Sequence, residues 1–260
     1  MASSGPKLDG LRRRQLGGSY RTGAEHYDRI RPGYPADAVN WLFDVPELSG
    51  RPASSVSVAD IGAGTGKYTR TLAAAGFSVH AVDPSEDMLA QLSRSLAIVP
   101  VSRGTAEATG LPAASVDAVT VAQAWHWCDP DASAAEFDRI LVPGGFAGLV
   151  WNQLDVSVPW VHRFARIIHA GDVLRPGFRP PLGKALTLQD SHTTSWAAQM
   201  TPEDLAELAK SRAYYLSASE TTRDKVLSNL GWYLYEHLGY TPGQVLDLPY
   251  LTLTWRAVRP

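Results

Sequence analysis

The chain has 260 residues, of which 45% are hydrophobic and 19% charged, and its formal net charge is −2. Such values are typical of a globular protein, and they give no electrostatic reason to expect nucleic acid or an anionic membrane as partner. The single cysteine excludes a disulfide framework and a cysteine-based zinc site. The sequence has no apolar run near the roughly 20 residues of a membrane span and no apolar signal core, so we expect a cytoplasmic protein.

The N-terminal part predicts a tail followed by a helical lid. Residues 1–19 are rich in Gly, Ser and Arg and lack periodicity, which predicts disorder. Residues 20–48 then carry a short helix around Tyr27, a rigid turn from Arg31 to Pro35, and a second helix from Ala36 to Phe43.

The next stretch predicts a βαβ unit with a glycine-rich first turn. Residues Val56 to Ile61 form a short apolar run that indicates a buried strand. Gly62, Gly64 and Gly66 can adopt positive φ, and they let a ligand approach the backbone closely. A helix is expected from Tyr68 to Ala75, then a second strand from Ser78 to Val82 that ends in Asp83. In such units the carboxylate binds ribose hydroxyls.

The spacing of the glycines distinguishes three nucleotide sites. A Walker phosphate loop needs four residues between its glycines and Ser or Thr after the lysine, whereas Gly62 and Gly66 enclose three and Tyr68 follows Lys67. A dinucleotide fingerprint needs one more residue than is present, and Asp60 would repel a pyrophosphate. An acid at that position favours a cationic ligand, such as the ammonium group of a methionine moiety.

The remaining pattern alternates between strands and helices. The predicted helices are a Ser85-capped helix through Met88 and Leu92, Asp129–Leu141 stopped by Pro143-Gly144-Gly145, Val158–Val173, Pro202–Lys210 capped by Thr201, and Thr221–Leu238. The predicted strands are Ala97–Val101, Val116–Val121, Phe146–Trp151, Leu186–Trp196 and Leu248–Val258. We therefore expect a core at 49–154, a helical cap with one core strand at 155–240, and a terminal core strand at 241–260.

These motifs resemble the class I S-adenosylmethionine methyltransferases, in the small-molecule branch of the trans-aconitate methyltransferase type. The resemblance rests on Asp60, the three glycines, Asp83 and the run RILVPGGFAGLVWN, and it covers residues 22–259. It implies a Rossmann-like, doubly wound α/β fold, with a seven-stranded mixed sheet, an antiparallel last strand and a helical cap. The implied activity is methyl transfer from S-adenosylmethionine to a small organic molecule of secondary metabolism, with S-adenosylhomocysteine as product. We expect a bacterial protein that is a monomer or a homodimer.

The resemblance also implies the cofactor contacts. Asp60 is expected near the methionine ammonium, Asp83 at the ribose, Met88 and Glu107 near the adenine, and the lid over the cofactor; alternatively, the lid tyrosines only pack the helices onto the sheet. The full expected set is Tyr27, Arg31, Asp60, Gly62, Ala63, Gly64, Thr65, Gly66, Asp83, Pro84, Met88, Thr105, Ala106, Glu107 and Gln123. No metal site is expected.

The loop after the fourth strand is the expected place of the chemistry, because open α/β sheets bind ligands at the carboxyl ends of their strands. His126 is a candidate general base, a hydrogen-bond partner of the acceptor, or a structural histidine. Its flanking tryptophans share one face if the strand continues and fan out if a helix begins. The expected acceptor contacts are Tyr34, Trp125, His126, Trp127, Trp151 and Asn152.

Two kinds of acceptor make opposite demands on this loop. A carboxylate needs an arginine, and Arg163, Arg166, Arg175 and Arg179 are candidates from the cap. A phenol gains from a positioned base such as His126. The loop itself holds a histidine between two tryptophans and no arginine, which favours a neutral, ring-bearing acceptor. A protein that uses the sulfonium for a cyclase-like reaction stays open, and an NAD-dependent oxidoreductase is less favoured.

Overall fold

The computed structural model describes residues 30–171 and 173–260, and these build a seven-stranded mixed sheet flanked by helices. The strands are β1 (Ser57–Ile61), β2 (Ser78–Asp83), β3 (Val101–Arg103), β4 (Val116–Ala122), β5 (Leu141–Leu154), β6 (Thr187–Met200) and β7 (Leu246–Val258). They run in the order β3-β2-β1-β4-β5-β7-β6, with β7 antiparallel to both of its neighbours. The Rossmann-like, doubly wound sheet with an antiparallel last strand is thus confirmed.

The helices lie on both faces of the sheet and around the ends of β6 and β7. They are α1 (Ala36–Phe43), α2 (Lys67–Ala74), α3 (Glu86–Ser95), α4 (Pro130–Ile140), α5 (Pro159–Ile167), α6 (Pro202–Lys210), α7 (Ala213–Ser217) and α8 (Glu220–Gly231). Short 3-10 turns occur at Pro46–Leu48, Ala53–Ser55 and Trp125–Trp127, and a π-helical turn at Trp232–His237. The disordered tail, Tyr27 and the first lid helix predicted from the sequence lie outside the described residues.

Local signals fix the ends of several helices. The Ser85 hydroxyl accepts the Met88 N–H at the start of α3, with two acids in the first turn. Thr201 and Asp204 form a reciprocal capping box at the start of α6. The predicted α1 and α6 have the bounds given by the sequence pattern, and the other predictions up to β2 differ by one residue at most at each end.

Two predictions in the core were wrong. Residues 97–100 form a turn, and β3 begins only at Val101. Val99 is buried from within that turn, so its apolar character reflects packing and not a strand. Pro143-Gly144-Gly145 does not separate α4 from a later strand, because β5 already starts at Leu141. The triplet lies at a shift of register against β4, where a bulge tolerates proline.

The cap also departs from the predicted bounds. The predicted helix Val158–Val173 ends at Ile167, and His169 follows with a φ of 49°. The helix predicted over Thr221–Leu238 is divided into α8 and the π-helical turn. β6 continues past Trp196 to Met200, paired along its length with β7.

Among the described residues, three clusters of buried side chains hold these layers together. One packs α4 against the sheet, and another packs α1, α2 and α3 against the opposite face. The third lies among α5, α6, the π-helical turn and the ends of β6 and β7, and it includes Ile30. The buried Arg256 on β7 donates to the carbonyls of Trp41, Leu42 and Asp44, which fastens the C-terminus of α1 to the sheet.

Candidate active site

The glycine turn joins β1 to α2 at the carboxyl edge of the sheet. Gly62, Gly64 and Gly66 have φ values of 69°, 57° and 88°. A Cβ on Gly62 would lie 2.6 Å from the Cβ of Ala124, and one on Gly66 would lie 2.8 Å from Leu92 Cγ. A Cβ on Gly64 would meet nothing within 4 Å. The outer glycines are therefore required by packing as well as by backbone conformation, whereas Gly64 presents bare backbone to open space.

The carboxylate of Asp83 ties the tip of β2 to this turn. Its Oδ2 accepts the Gly64 N–H at 2.9 Å and its Oδ1 accepts the Ser85 N–H at 2.8 Å. The side chain is largely buried, which raises its pKa, while the two N–H groups oppose that shift. Of its predicted neighbours, Pro84 is exposed and Met88 is buried. Asp83 keeps two oxygens beside the open face of Gly64, each with lone pairs to spare.

Asp60 is buried directly before the turn, with an exposed fraction of 1%. Thr69 Oγ1 donates to its Oδ2 at 2.6 Å, and Thr120 Oγ1 donates to its Oδ1 at 2.9 Å. Burial raises the pKa of Asp60 to about 6, although both hydroxyls oppose the shift. The sequence reasoning identified the acid and missed its two threonines, which lie on α2 and β4. Thr65, another predicted contact, is also buried within the turn.

Tyr68, in the first turn of α2, was not among the predicted site residues. Its ring meets the predicted lid residue Tyr34 edge-on, with 4.9 Å between centroids. Its hydroxyl is buried and has no hydrogen-bond partner among the described residues. Burial raises the pKa of this phenol well above its usual value, and the charge of Asp60 adds to the shift.

The segment after β3 lies beside α4. Thr105 is exposed and Ala106 is buried. Glu107 Oε1 accepts the Asp129 N–H at 2.8 Å, at the N-terminal end of α4. The carboxylate of Glu107 is therefore already hydrogen-bonded within the chain. The main-chain groups of this segment are then simpler contacts for the expected adenine than the Glu107 side chain.

The loop after β4 turns sharply away from the strand. Gln123 has a φ of 57°, and a 3-10 turn follows from Trp125 to Trp127. The side chains fan out, as expected for a helical turn. Trp125 is buried and donates its Nε1–H to the Pro181 carbonyl at 2.8 Å. His126 is exposed, and its ring lies 4.2 Å from that of Trp127 between centroids.

A chain of hydrogen bonds links this loop to the predicted lid. Gln123 Nε2 donates to the Asn152 carbonyl at 2.6 Å, and Asn152 Nδ2 donates to the Gly33 carbonyl at 2.8 Å. Trp196 donates to Thr252 Oγ1 at 2.9 Å, which in turn donates to Asn152 Oδ1 at 2.6 Å. Both groups of the Asn152 amide are thus engaged by the chain, and its role here is to hold the residues before α1. The predicted lid residue Arg31 donates to the Ser211 carbonyl at the end of α6.

A cavity of about 270 Å³ lies next to His126, on the α4 face of the sheet. Its floor includes Val121 and Leu149, and Trp151, whose ring lies 4.8 Å from that of His126, stands beside it. Trp125 and Trp255 also contribute. Among the described residues that line this cavity, none carries a carboxylate, an ammonium or a guanidinium group.

The outer wall of the cavity comes from residues 174–181, in which the sequence suggested only Arg175 and Arg179 as candidate contacts of the acceptor. Leu174, Phe178, Pro180 and Pro181 face the cavity. The other predicted acceptor contacts, Tyr34, Trp127 and Asn152, do not line it. Sequence spacing did not reveal this wall, because it is distant in the chain from both β4 and β5.

The order of the sheet, the glycine turn after β1 and the acid at the tip of β2 define a class I S-adenosylmethionine-dependent methyltransferase. Comparison with known proteins agrees with this class. Residues 59–149 match the family model described as a methyltransferase domain. An uncharacterized methyltransferase of Mycobacterium tuberculosis is 39% identical over 246 residues, which cover 94% of this chain and 97% of that protein. An uncharacterized methyltransferase-like protein of Schizosaccharomyces pombe is 34% identical over 154 residues, or 58% of this chain and 57% of its own length.

Among solved structures, a protein of Anaeromyxobacter dehalogenans, proposed to be a type II methyltransferase, is similar with a TM-score of 0.66 and 27% identity, over 88% of this chain and 97% of that one. The chain belongs to this family of methyltransferases, and S-adenosylmethionine is its cofactor. The more specific resemblance to methyltransferases of the trans-aconitate type remains a prediction.

The structure contains no helix, within residues 30–171 and 173–260, that is long and apolar enough to cross a membrane. In the same part of the chain, no three His, Cys, Asp or Glu side chains are grouped so that they would hold a metal ion.

Proposed function

We propose that the glycine turn, Asp60 and Asp83 hold S-adenosylmethionine, which supplies a methyl group carried on a sulfonium. Three observations support this fit. Gly64 leaves its backbone bare at positive φ, so a ligand can approach the main chain. Asp83 has acceptor capacity beyond its two backbone bonds, which suits ribose hydroxyls. Asp60 and the buried hydroxyl of Tyr68 offer a carboxylate and a phenol to the amino-acid end.

The acceptor in this proposal is a small, neutral, ring-bearing molecule that occupies the cavity next to His126. The observation that carries it is a largely apolar lining, rich in aromatic rings, that contains no carboxylate, ammonium or guanidinium group. A carboxylate placed there would find no ammonium or guanidinium group to pair with, and burial of an unpaired charge costs at least several kcal/mol. The exposed Arg166, Arg175 and Arg179 do not line the cavity. The guanidinium of Arg163 lies over the rings of Trp232 and Tyr233. A cavity of this size suits a small metabolite, and we assign the product to secondary metabolism.

His126 is the proposed group at the reacting atom. It lies in the loop that contacts the glycine turn through Ala124, and its ring stands beside Trp151 at the cavity. A neutral hydroxyl must lose its proton when its oxygen gains a methyl group, and an exposed imidazole can accept that proton and pass it to water. The aromatic rings around it tolerate a nearby cation.

The residues before α1 form the proposed lid, and residues 155–240 the proposed cap that shapes the acceptor site. The bond from Asn152 to Gly33 and the contact of Tyr34 with Tyr68 support a lid that meets the cofactor end of the cleft. Closure would keep water away from the transfer. We therefore expect slower amide hydrogen exchange in residues 30–35 when S-adenosylhomocysteine is present, and unchanged exchange would contradict the lid.

A direct test uses S-adenosylmethionine with a trideuterated methyl group. The purified protein is incubated with it and a bacterial metabolite extract, and products that carry the label are sought by mass spectrometry. We expect labelled phenols or other neutral ring compounds, and much less of them from Asp83→Ala when the cofactor is limiting. Cyclised products without the label would favour the cyclase-like alternative, and labelled carboxylic esters would return the assignment to an acid acceptor.

A matched pair of ligands tests the charge of the acceptor. 2-Naphthol and 2-naphthoate share a ring system and differ in charge at neutral pH. We expect 2-naphthol to bind at least about tenfold more tightly at pH 7, because the carboxylate would lose its hydration without gaining a cation. Equal affinity, or tighter binding of the naphthoate, would refute a neutral acceptor.

A further inference from the structure

The outer wall of the cavity is hydrogen-bonded to the core at both ends, whereas its middle is bonded mainly to itself. We call residues 174–181 the wall segment. At its start, the Leu174 N–H donates to Gln153 Oε1 at 2.7 Å, from a glutamine buried on β5. At its end, the Pro181 carbonyl accepts the Nε1–H of the buried Trp125 at 2.8 Å. Both ends are therefore tied to side chains that the core holds in place.

The chain just after the wall segment is equally fixed. A Cβ on Gly183 would lie 2.2 Å from the Pro130 carbonyl oxygen, so the backbone there packs directly against the first residue of α4. The Lys184 N–H donates to Asp131 Oδ1 at 3.1 Å. A rigid attachment on this side means that movement of the wall is confined to the residues between the two anchors.

The middle of the wall segment is bonded mainly to itself. The Phe178 N–H donates to the Arg175 carbonyl at 3.0 Å, and Gly177 between them has a φ of 76°. Residues 175–179 are exposed, and no hydrogen bond joins them to the sheet among the residues that the structure describes. A segment with few bonds to the rest of the fold can open locally at a low free-energy cost.

Phe178 stands where this loose turn meets the cavity. Its side chain lines the cavity and yet is 40% exposed, and its ring meets Trp255 edge-on with 6.1 Å between centroids. A side chain that faces both solvent and cavity separates the two, and rotation or displacement of its ring would connect them.

We propose that Phe178 is the gate through which the acceptor enters the cavity, and that its ring limits the size of the acceptor. This inference rests on the proposed function, in which the cavity holds the acceptor. The route lies on the α4 face of the sheet, apart from the glycine turn and the lid. The acceptor can therefore enter without the lid opening, so that cofactor and acceptor bind in either order.

The test compares Phe178→Ala and Phe178→Trp with a matched control, Leu216→Ala, which removes a similarly exposed apolar side chain (42%) from α7. The association rate of 2-naphthol is measured by stopped-flow tryptophan fluorescence. We expect Phe178→Ala to raise this rate by about tenfold, equivalent to about 1.4 kcal/mol of barrier, and Phe178→Trp to lower it.

Phe178→Ala is also expected to improve the affinity of the larger 4-phenylphenol relative to 2-naphthol. Leu216→Ala should leave both quantities unchanged, and all variants should bind S-adenosylhomocysteine as the wild type does.

A competition assay separates failure of the gate from failure of the proposed function. The labelled acceptor found in the metabolite extract is methylated in the presence of 2-naphthol. Competition together with Phe178-dependent entry supports the inference. Equal entry rates in all variants, with competition retained, would overturn the gate and leave the proposed function standing. Phe178-dependent entry without any competition would show that the acceptor does not use this cavity, and both would fall.

Discussion

Replacement of Asp60 by asparagine is expected to make the protein more stable at neutral pH. The buried carboxylate has a pKa raised from 3.8 to about 6, which means that burial of its charge costs more than its hydrogen bonds to Thr69 and Thr120 return. A shift of about two pKa units corresponds to about 3 kcal/mol. Asparagine has the same shape, its oxygen can accept from the hydroxyl and backbone N–H of Thr69, and its amide can donate to Thr120 Oγ1.

The pH dependence follows from the direction of the shift. The unfolded chain releases the Asp60 proton near pH 3.8, whereas the native protein holds it up to about pH 6. The contribution of Asp60 to stability is therefore fully present below pH 3.8, decreases as the pH rises through this window, and stays at its lowest value above it. Urea denaturation of wild type and Asp60→Asn should differ by about 1–3 kcal/mol at pH 7.5 in favour of the variant, and by little at pH 4.

Asp117→Asn is the matched control, since it makes the same substitution on a neighbouring strand. Burial alone would raise the pKa of Asp117, but Arg51 and the Ser57 N–H together lower it. Its charged form is therefore stabilised, and this variant should be less stable than wild type at pH 7.5. If Asp60→Asn is no more stable than wild type at pH 7.5, or if its advantage persists unchanged at pH 4, the reasoning on Asp60 is wrong.

The remaining predictions concern the cofactor and the base. Asp83→Ala should weaken S-adenosylhomocysteine binding in calorimetry by about 1.5–3 kcal/mol, through loss of charge-assisted bonds to the ribose; an unchanged affinity would exclude that contact. Gly62→Ala should cost about 1–3 kcal/mol of stability, because the new Cβ meets Ala124 at positive φ, whereas Gly64→Ala should cost about 1 kcal/mol and mainly impair cofactor binding. His126→Ala should slow methyl transfer to the identified acceptor about 10²–10⁴-fold if it is the base, and the wild-type rate should then fall in acid, because a protonated base cannot accept the proton of the acceptor. A flat profile and a fast variant would make His126 structural.

The unit from β1 to β2 could be predicted from sequence because its signals are local. A short apolar run, a glycine turn and a helix of eight residues follow one another without interruption, and each fixes the next. The same holds for the ends of α3 and α6, where the capping residue and the helix it caps are neighbours in the chain.

The errors arose where the same local sequence pattern is compatible with two different tertiary structures. An apolar turn at Val99 resembles a strand because both bury side chains. Pro143-Gly144-Gly145 resembles a helix stop followed by a loop, whereas the pairing of β5 with β4 accommodates it as a bulge. The partners of Asp60 and the wall segment were missed for a different reason: Thr120 and Phe178 are each distant in sequence from the groups they meet, and no spacing rule connects them.

The arginines of the cap illustrate how placement changes the chemical argument. The sequence left a carboxylate acceptor open, because it offers Arg163, Arg166, Arg175 and Arg179 as cations that could reach the acceptor from the cap. In the fold, the guanidinium of Arg163 lies over aromatic rings of the π-helical turn, and the other three arginines are exposed and do not line the cavity. A guanidinium outside the wall still attracts anions to the entrance, but it cannot satisfy a carboxylate inside, since the interaction with a buried charge needs direct hydrogen bonds. The same loop that keeps the cavity uncharged therefore supports both the neutral acceptor and the gate at Phe178.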